Sequence, residues 1–345
     1  MISHHSYEAE LNQTISTGDI YDPRLTRPFA IICLLIGSVG NSISFIVFTQ
    51  KQLRTHSTFR YLAYLSIVDL IVLYLGLGNL LLRDYFQFNI RARTLWLCKF
   101  HTYLTYVTTH LSSWILTLVS IDRAVACTVI QLNKRFCRPK SADRIFLLMC
   151  ITILLLNSHI LFFMGSKEIL PSSTNNTVSY TEIITCTHNT SETYFQFFEK
   201  PYNIIDLLSY VLIPFIIMTI CAGIIAYRLF FSFGKTSIKA KARRGTQRAK
   251  QISYMLLTLN FVFVILLAPI VIGQIFQDLN EEHRYRVYNS ITLVLSYSNH
   301  ALNFVLYGIA SPQFRLTLKE LLGCQQQTSS QKRLQQYGLY TSNAF

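Results

Sequence analysis

The chain has 345 residues, 51% of them hydrophobic and only 14% charged. Soluble proteins usually carry near 25% charge, so this composition argues against an ordinary soluble enzyme and excludes disorder for the bulk of the chain. A net charge of +14 would suit a nucleic-acid binder, unless its distribution along the chain explains it otherwise.

Residues 1–28 lack the apolar core of a signal peptide, so the first apolar run is expected to act as an uncleaved anchor. A bilayer core about 30 Å thick needs roughly 20 apolar residues in a helix. Seven stretches meet that need: Phe29–Phe48, Tyr61–Leu82, Phe100–Ile121, Ile145–Ser166, Leu207–Tyr227, Gln251–Gln277 and Val287–Gln313. The last five carry no Asp, Glu, Lys or Arg, and the second carries one acid, Asp69. The predicted fold is an all-α membrane bundle of seven spans, since lipid leaves free backbone groups unsatisfied. The loops are short except Lys167–Asp206, which is rich in Thr, Asn and Ser, and Arg228–Lys250, which is basic. After the seventh span, Ser311-Pro312 opens a short amphipathic segment with Phe314, Leu318, Leu321 and Leu322 on its apolar side. Cys324 follows as a palmitoylation candidate, and 325–345 reads as a disordered tail. The expected organisation is an outer tail over 1–28, a spanning domain over 29–324 and the tail over 325–345.

The charges orient the bundle. The loops after spans one, three and five, with the C-terminal tail, sum to +18; the other side sums to −3 and Asp69 adds −1. The basic side is cytoplasmic, which puts the N-terminus outside and the C-terminus inside. Nucleic acid is then not needed to explain the charge, and membrane lipid is the expected neighbour. Three glycosylation sequons, at Asn12, Asn175 and Asn189, fall on the predicted outer face. Of eight cysteines, only Cys98 and Cys186 lie on the oxidising side, so they form the one plausible disulfide. It would tie the top of span three to the second outer loop.

Two places carry chemistry. Cys98 and Asp122 are 24 residues apart, about 36 Å of helix, so Asp122-Arg123 sits at the inner rim of span three. An adjacent acid and base there can hold a helix end in one state. Asp69 is a carboxylate in mid-membrane, which is by default functional. Ser112, Asn299 and Asn303 on other spans could join it around a small cation such as sodium; protonation of Asp69 is the equal alternative. No nucleophile–base set and no HExxH stretch occurs, so no enzyme is expected and no cofactor beyond that possible sodium ion.

In order along the spans stand Gly40-Asn41, Leu65 with Asp69, Trp96 with Cys98, Asp122-Arg123, Pro214, Phe263 with Pro269, Asn299, Asn303 with Tyr307, and Phe314. This ordered set resembles the rhodopsin-like (class A) G-protein-coupled receptors over residues 29–324. Departures from the family pattern are Ala124 for the Tyr of DRY, Phe304 for the Pro of NPxxY, Leu267 for the span-six Trp, Ala222 for the usual span-five Tyr and the lack of a span-four Trp. Without that proline, span seven is expected to be straighter. The absence of Lys from 287–313 excludes a retinal-holding opsin.

The resemblance implies a plasma-membrane, multi-pass receptor that activates heterotrimeric G proteins and engages arrestin. It assigns Asp122, Arg123 and Tyr307 to the switch and Leu132 to G-protein contact. Thr105 stands where amine receptors of the family carry Asp, which disfavours amines. The long outer loop and its disulfide are similar to those of peptide receptors, and the altered motifs resemble invertebrate neuropeptide receptors of the FMRFamide type. The implied ligand is therefore an extracellular peptide, with a small non-peptide ligand as the alternative. The candidate ligand contacts are Asn79, Arg83, Thr105, Tyr106, Thr109, Gln274 and Tyr297. A transporter, a channel and a non-signalling decoy are the competing classes.

Overall fold

A computed structural model describes residues 21–128, 136–174, 177–228, 254–270 and 282–323. Asn12, Leu132, Asn175, Gln274 and Cys324 lie outside these residues. The helices are α1 (Pro23–Phe48), α2 (Ser57–Phe86), α3 (Leu95–Thr128), α4 (Pro139–Phe163), α5 (Glu192–Tyr227) and α6 (Tyr254–Ile270). The seventh span is two helices, α7 (Glu282–Ala301) and α8 (Asn303–Ala310). The amphipathic segment forms α9 (Pro312–Leu321).

Five of these helices, α1 to α5, are long and apolar enough to cross a membrane. α3 packs against α2, α4 and α5, and α1 packs against α2 and α7. A helix that faces both lipid and protein can be apolar all round. On α4, Leu147, Leu148 and Leu155 are accordingly left exposed, as a lipid-facing stripe would be. The ends have local causes. Asp22 caps α1 by accepting from the Arg24 amide, and Ser311 caps α9 by accepting from the Phe314 amide with Pro312 at its first position.

One expectation needs correction: the loop after span four is not a plain loop. Ser166–Thr174 and Thr177–Thr185 pair as an antiparallel hairpin, β1 and β2, in the register Ser166↔Thr185 to Thr174↔Thr177. α5 then starts at Glu192, fifteen residues before the predicted Leu207. Glu192, Glu199, Lys200, Pro201 and Asp206 break the apolar run in sequence, but the helix extends outward past the apolar stretch. Its start is capped by the Ser191 hydroxyl, which accepts from the Tyr194 amide, and Pro201 is absorbed in a π-type turn at Phe198–Tyr202. Tyr194, Phe197 and Tyr202 surround the His159 ring of α4, which supplies the packing.

Span seven is interrupted at Leu302, between α7 and α8, although the Leu302 amide still donates to the Ser298 carbonyl one turn back. One cause is visible on the neighbouring helix: the Asn41 amide of α1 donates to the His300 carbonyl at 3.0 Å. A side-chain donor thus engages a carbonyl next to the break. Phe304 instead packs against α1, where a Cβ on Gly40 would lie 2.7 Å from the Phe304 Cβ. The close approach of the two helices therefore requires glycine at position 40.

Candidate functional site

The bundle carries three polar clusters stacked along its length. At one end, Cys98 of α3 and Cys186 after β2 are disulfide-bonded. Trp96 stacks on Phe100 at the rim, with ring centres 4.6 Å apart. Next to this rim, polar and aromatic side chains of α3, α5, α7 and the α2–α3 turn come near one another. Tyr106 reaches from α3 toward Tyr202 and Phe198 of α5. The guanidinium of Arg91, in the short turn Ile90–Ala92, donates to His101 Nδ1 at 3.1 Å. It also faces Tyr297 and Tyr106, and burial holds it below the usual arginine range. Among the described residues no carboxylate pairs with it.

Asp206 of α5 lies 3.5 Å from His110 Nε2. Nδ1 of His110 lies 2.8 Å from the Tyr106 carbonyl and donates to it. Nε2 lies 2.9 Å from the Ser209 hydroxyl, which itself donates to the Asp206 carbonyl at 3.3 Å. Tyr106 stands near both Arg91 and Asp206.

The other predicted contacts divide. Tyr297 lies so close to Gly76 of α2 that a Cβ there would strike its ring. Thr105 and Thr109 donate their hydroxyls to carbonyls one turn back on their own helix. Asn79 accepts from the Ile90 amide at 3.3 Å and so holds the loop that carries Arg91. Arg83 pairs with Asp84, which also takes Arg27 of α1. Asn189 is exposed.

The middle cluster centres on Asp69, which is fully buried. Its Oδ1 accepts from the Ser112 hydroxyl at 2.7 Å and from His300 Nδ1 at 2.8 Å, and its Oδ2 accepts from the Asn303 amide at 2.7 Å. Ser112 and Asn303 are where the sequence reading put them. Asn299 is buried but is not among the partners; His300, one residue on, takes the place assigned to it. The residues present do not fit a sodium ion. An ion bridging Asp69 Oδ1 and Ser112 Oγ would need the space between those oxygens. His300 Nδ1 lies 2.8 Å from one and 3.2 Å from the other, and an imidazole N–H bound to them is a donor rather than an oxygen ligand.

The third cluster, at the opposite end, holds Asp122 and Arg123, expected from the sequence to form a switch. Asp122 Oδ2 accepts from Arg123 Nη2 at 2.7 Å and Nε at 3.1 Å. Two hydroxyls at the start of α2 also hold it: Ser57 on Oδ1 at 2.6 Å and Thr58 on Oδ2 at 2.8 Å. Asp122 is buried, so these are charge-assisted bonds shielded from water. Nearby, Cys137 Sγ donates to the Asp122 carbonyl at 3.4 Å. Burial, then the Asp122 charge, pushes its thiol up to about 12. Asn260 of α6 donates to Ser120 of α3 and to the Met218 carbonyl of α5, tying three helices together. Tyr307 is fully buried among Phe48 and Phe314, with ring centres 5.0 and 5.7 Å away.

The family model for the 7 transmembrane receptor (rhodopsin family) matches this chain over residues 41–307, a range that holds Asp69, Asp122 and Arg123. The chain belongs to that receptor family. It is therefore a multi-pass membrane receptor. The receptor is similar to the thyrotropin-releasing hormone receptor of Mus musculus, 26% identical over 326 residues, 86% of this chain and 78% of the relative. It is similar to the allatostatin-A receptor of Bombyx mori, 24% identical over 297 residues, 84% and 77% of the two chains. It is also similar to somatostatin receptor type 4 of Rattus norvegicus, 22% identical over 300 residues, 85% and 71% of the two chains.

Sequence reasoning missed the acid beside His110, because Asp206 reads as loop, and it missed Ser57 and Thr58, which look like ordinary helix-start residues. It also missed His300. That residue does have a sequence signal: it falls within four residues of Asn303 on an otherwise uncharged span.

Proposed function

We propose that this receptor is activated by an extracellular peptide and couples to heterotrimeric G proteins. The end bearing the Cys98–Cys186 disulfide faces outward, with the N-terminus outside and the C-terminus inside, in line with the charge asymmetry. The observation that carries the peptide reading is the polar cluster near the disulfide-bearing end. Arg91 offers a half-buried cation with no carboxylate partner among the described residues, Asp206 offers an acid, Tyr106 stands near both, and Tyr297 lies near Arg91. A ligand that satisfies both sides needs separated acceptor and donor groups, as a peptide has. The peptide-hormone and neuropeptide receptors among its relatives support the same reading. The hairpin β1–β2, anchored by the disulfide, would stand beside this cluster.

Activation is a population shift: the peptide favours the state it binds more tightly. The inner ends of α3, α5 and α6 then part, Arg123 leaves Asp122, and a G-protein segment enters. Arrestin is expected to use the same opening. Screening peptides on cells that express the receptor, read by calcium and cyclic AMP, tests the ligand class. Arg91→Gln and Asp206→Asn should each weaken the responding peptide by about tenfold or more, the scale for a lost charge-assisted hydrogen bond. Response to a lipid or an amine, with none to any peptide, would refute the peptide reading.

A further inference from the structure

A lone buried carboxylate in the middle of a membrane bundle invites a mobile cation, and Asp69 has that setting. Here the carboxylate is already satisfied from within the chain. Three donors from α3, α7 and α8 converge on it: the Ser112 hydroxyl, His300 Nδ1 and the Asn303 amide, all within 2.8 Å. His300 also lies 3.2 Å from Ser112 Oγ, so its Nδ1 sits against the two oxygens that an ion would bridge. The backbone of His300 is fixed by Asn41 of α1, whose amide donates to the His300 carbonyl, and the His300 ring lies 6.4 Å from that of Tyr297. Both side chains are closed off from solvent, with 1% exposure for His300 and none for Asp69.

We infer that His300 is a built-in replacement for a cation beside Asp69, so that sodium does not bind there and does not regulate this receptor. The imidazole need not be charged: Nδ1 carries a proton in the protonated ring and in the neutral Nδ1–H tautomer, and an ionised Asp69 selects those forms over the one that would face it with a lone pair. A tethered group also competes at a high effective concentration, which a dissolved ion at physiological levels does not match. One consequence follows for the switch. The tie between α2, α3 and α7 is a fixed property of the chain rather than one set by salt.

The test needs no agonist and is independent of the peptide reading. Purified full-length receptor in detergent is unfolded by heat in sodium chloride and in choline chloride at equal ionic strength, about 0.15 M. The unmodified receptor should melt at the same temperature in both. His300→Ser, which returns a small oxygen-bearing side chain and opens the space, should gain a saturable, sodium-specific rise of several degrees; His300→Asn serves if the serine variant does not fold. A saturable sodium-specific rise in the unmodified receptor would overturn the inference. So would indifference to sodium in both folded variants, because the imidazole would then not be what keeps the ion out.

Discussion

Loosening the grip on Asp122 should raise basal signalling, and the size of the effect can be worked from its contacts. The carboxylate is held by Ser57 at 2.6 Å, Thr58 at 2.8 Å and Arg123 at 2.7 Å. Thr58→Val removes one hydroxyl while keeping the volume, and Ser57→Ala removes the other. A hydrogen bond to a charged group contributes about 1.5–3 kcal/mol when its partner is buried. If the bonds exist in the tied state and are lost when Arg123 is released, each substitution shifts that equilibrium by roughly 10- to 100-fold, since about 1.4 kcal/mol is tenfold. The double variant should exceed either single one, without strict additivity because all these donors share one carboxylate. The assay is ligand-independent nucleotide exchange on G protein in membranes, normalised to receptor at the cell surface. Basal exchange equal to that of the unmodified receptor in both single variants and the double, at equal surface level, would refute the proposed role of these hydroxyls.

Two further expectations concern single side chains. Gly76→Ala should push the Tyr297 ring out of place and weaken peptide potency by about tenfold, a change of order 1–2 kcal/mol for overpacking, while surface expression stays near normal; unchanged potency would show that the ring yields without disturbing the polar cluster. Cys137, with its thiol pushed up to about 12, should resist alkylation near neutral pH. The thiolate is the reactive form, so at pH 8 its fraction is about 10⁻⁴, and labelling should rise tenfold per pH unit. Rapid labelling of Cys137 at pH 7, read by mass spectrometry of the peptide that carries it, would contradict the raised thiol.

The long apolar runs were legible because lipid imposes them on composition, and the loop charges oriented them for a similar reason. Cys98 and Cys186 were legible because topology removed every other pairing. What was not legible depended on contacts between distant segments. The outer extension of α5 contains Glu199, Lys200, Pro201 and Asp206, and no local pattern reveals that Tyr194 and Tyr202 will pack around His159. Similarly, the break at Leu302 reflects a donor from α1 rather than a residue of span seven itself. Asn299 and His300 are neighbours in sequence, but a helix turns about 100° per residue, so only the fold decides which of them faces Asp69.

The central claim is that peptide occupancy of the outer polar cluster frees Arg123 to activate a G protein. Its most direct test is nucleotide exchange by purified receptor and G protein, with the peptide found by screening, for the unmodified chain and for Arg123→Ala. The account predicts peptide-stimulated exchange by the unmodified receptor, and loss of that exchange in Arg123→Ala with peptide affinity changed by less than about threefold, which is under 0.7 kcal/mol. Full exchange by Arg123→Ala, or peptide binding by the unmodified receptor without any exchange, would contradict it.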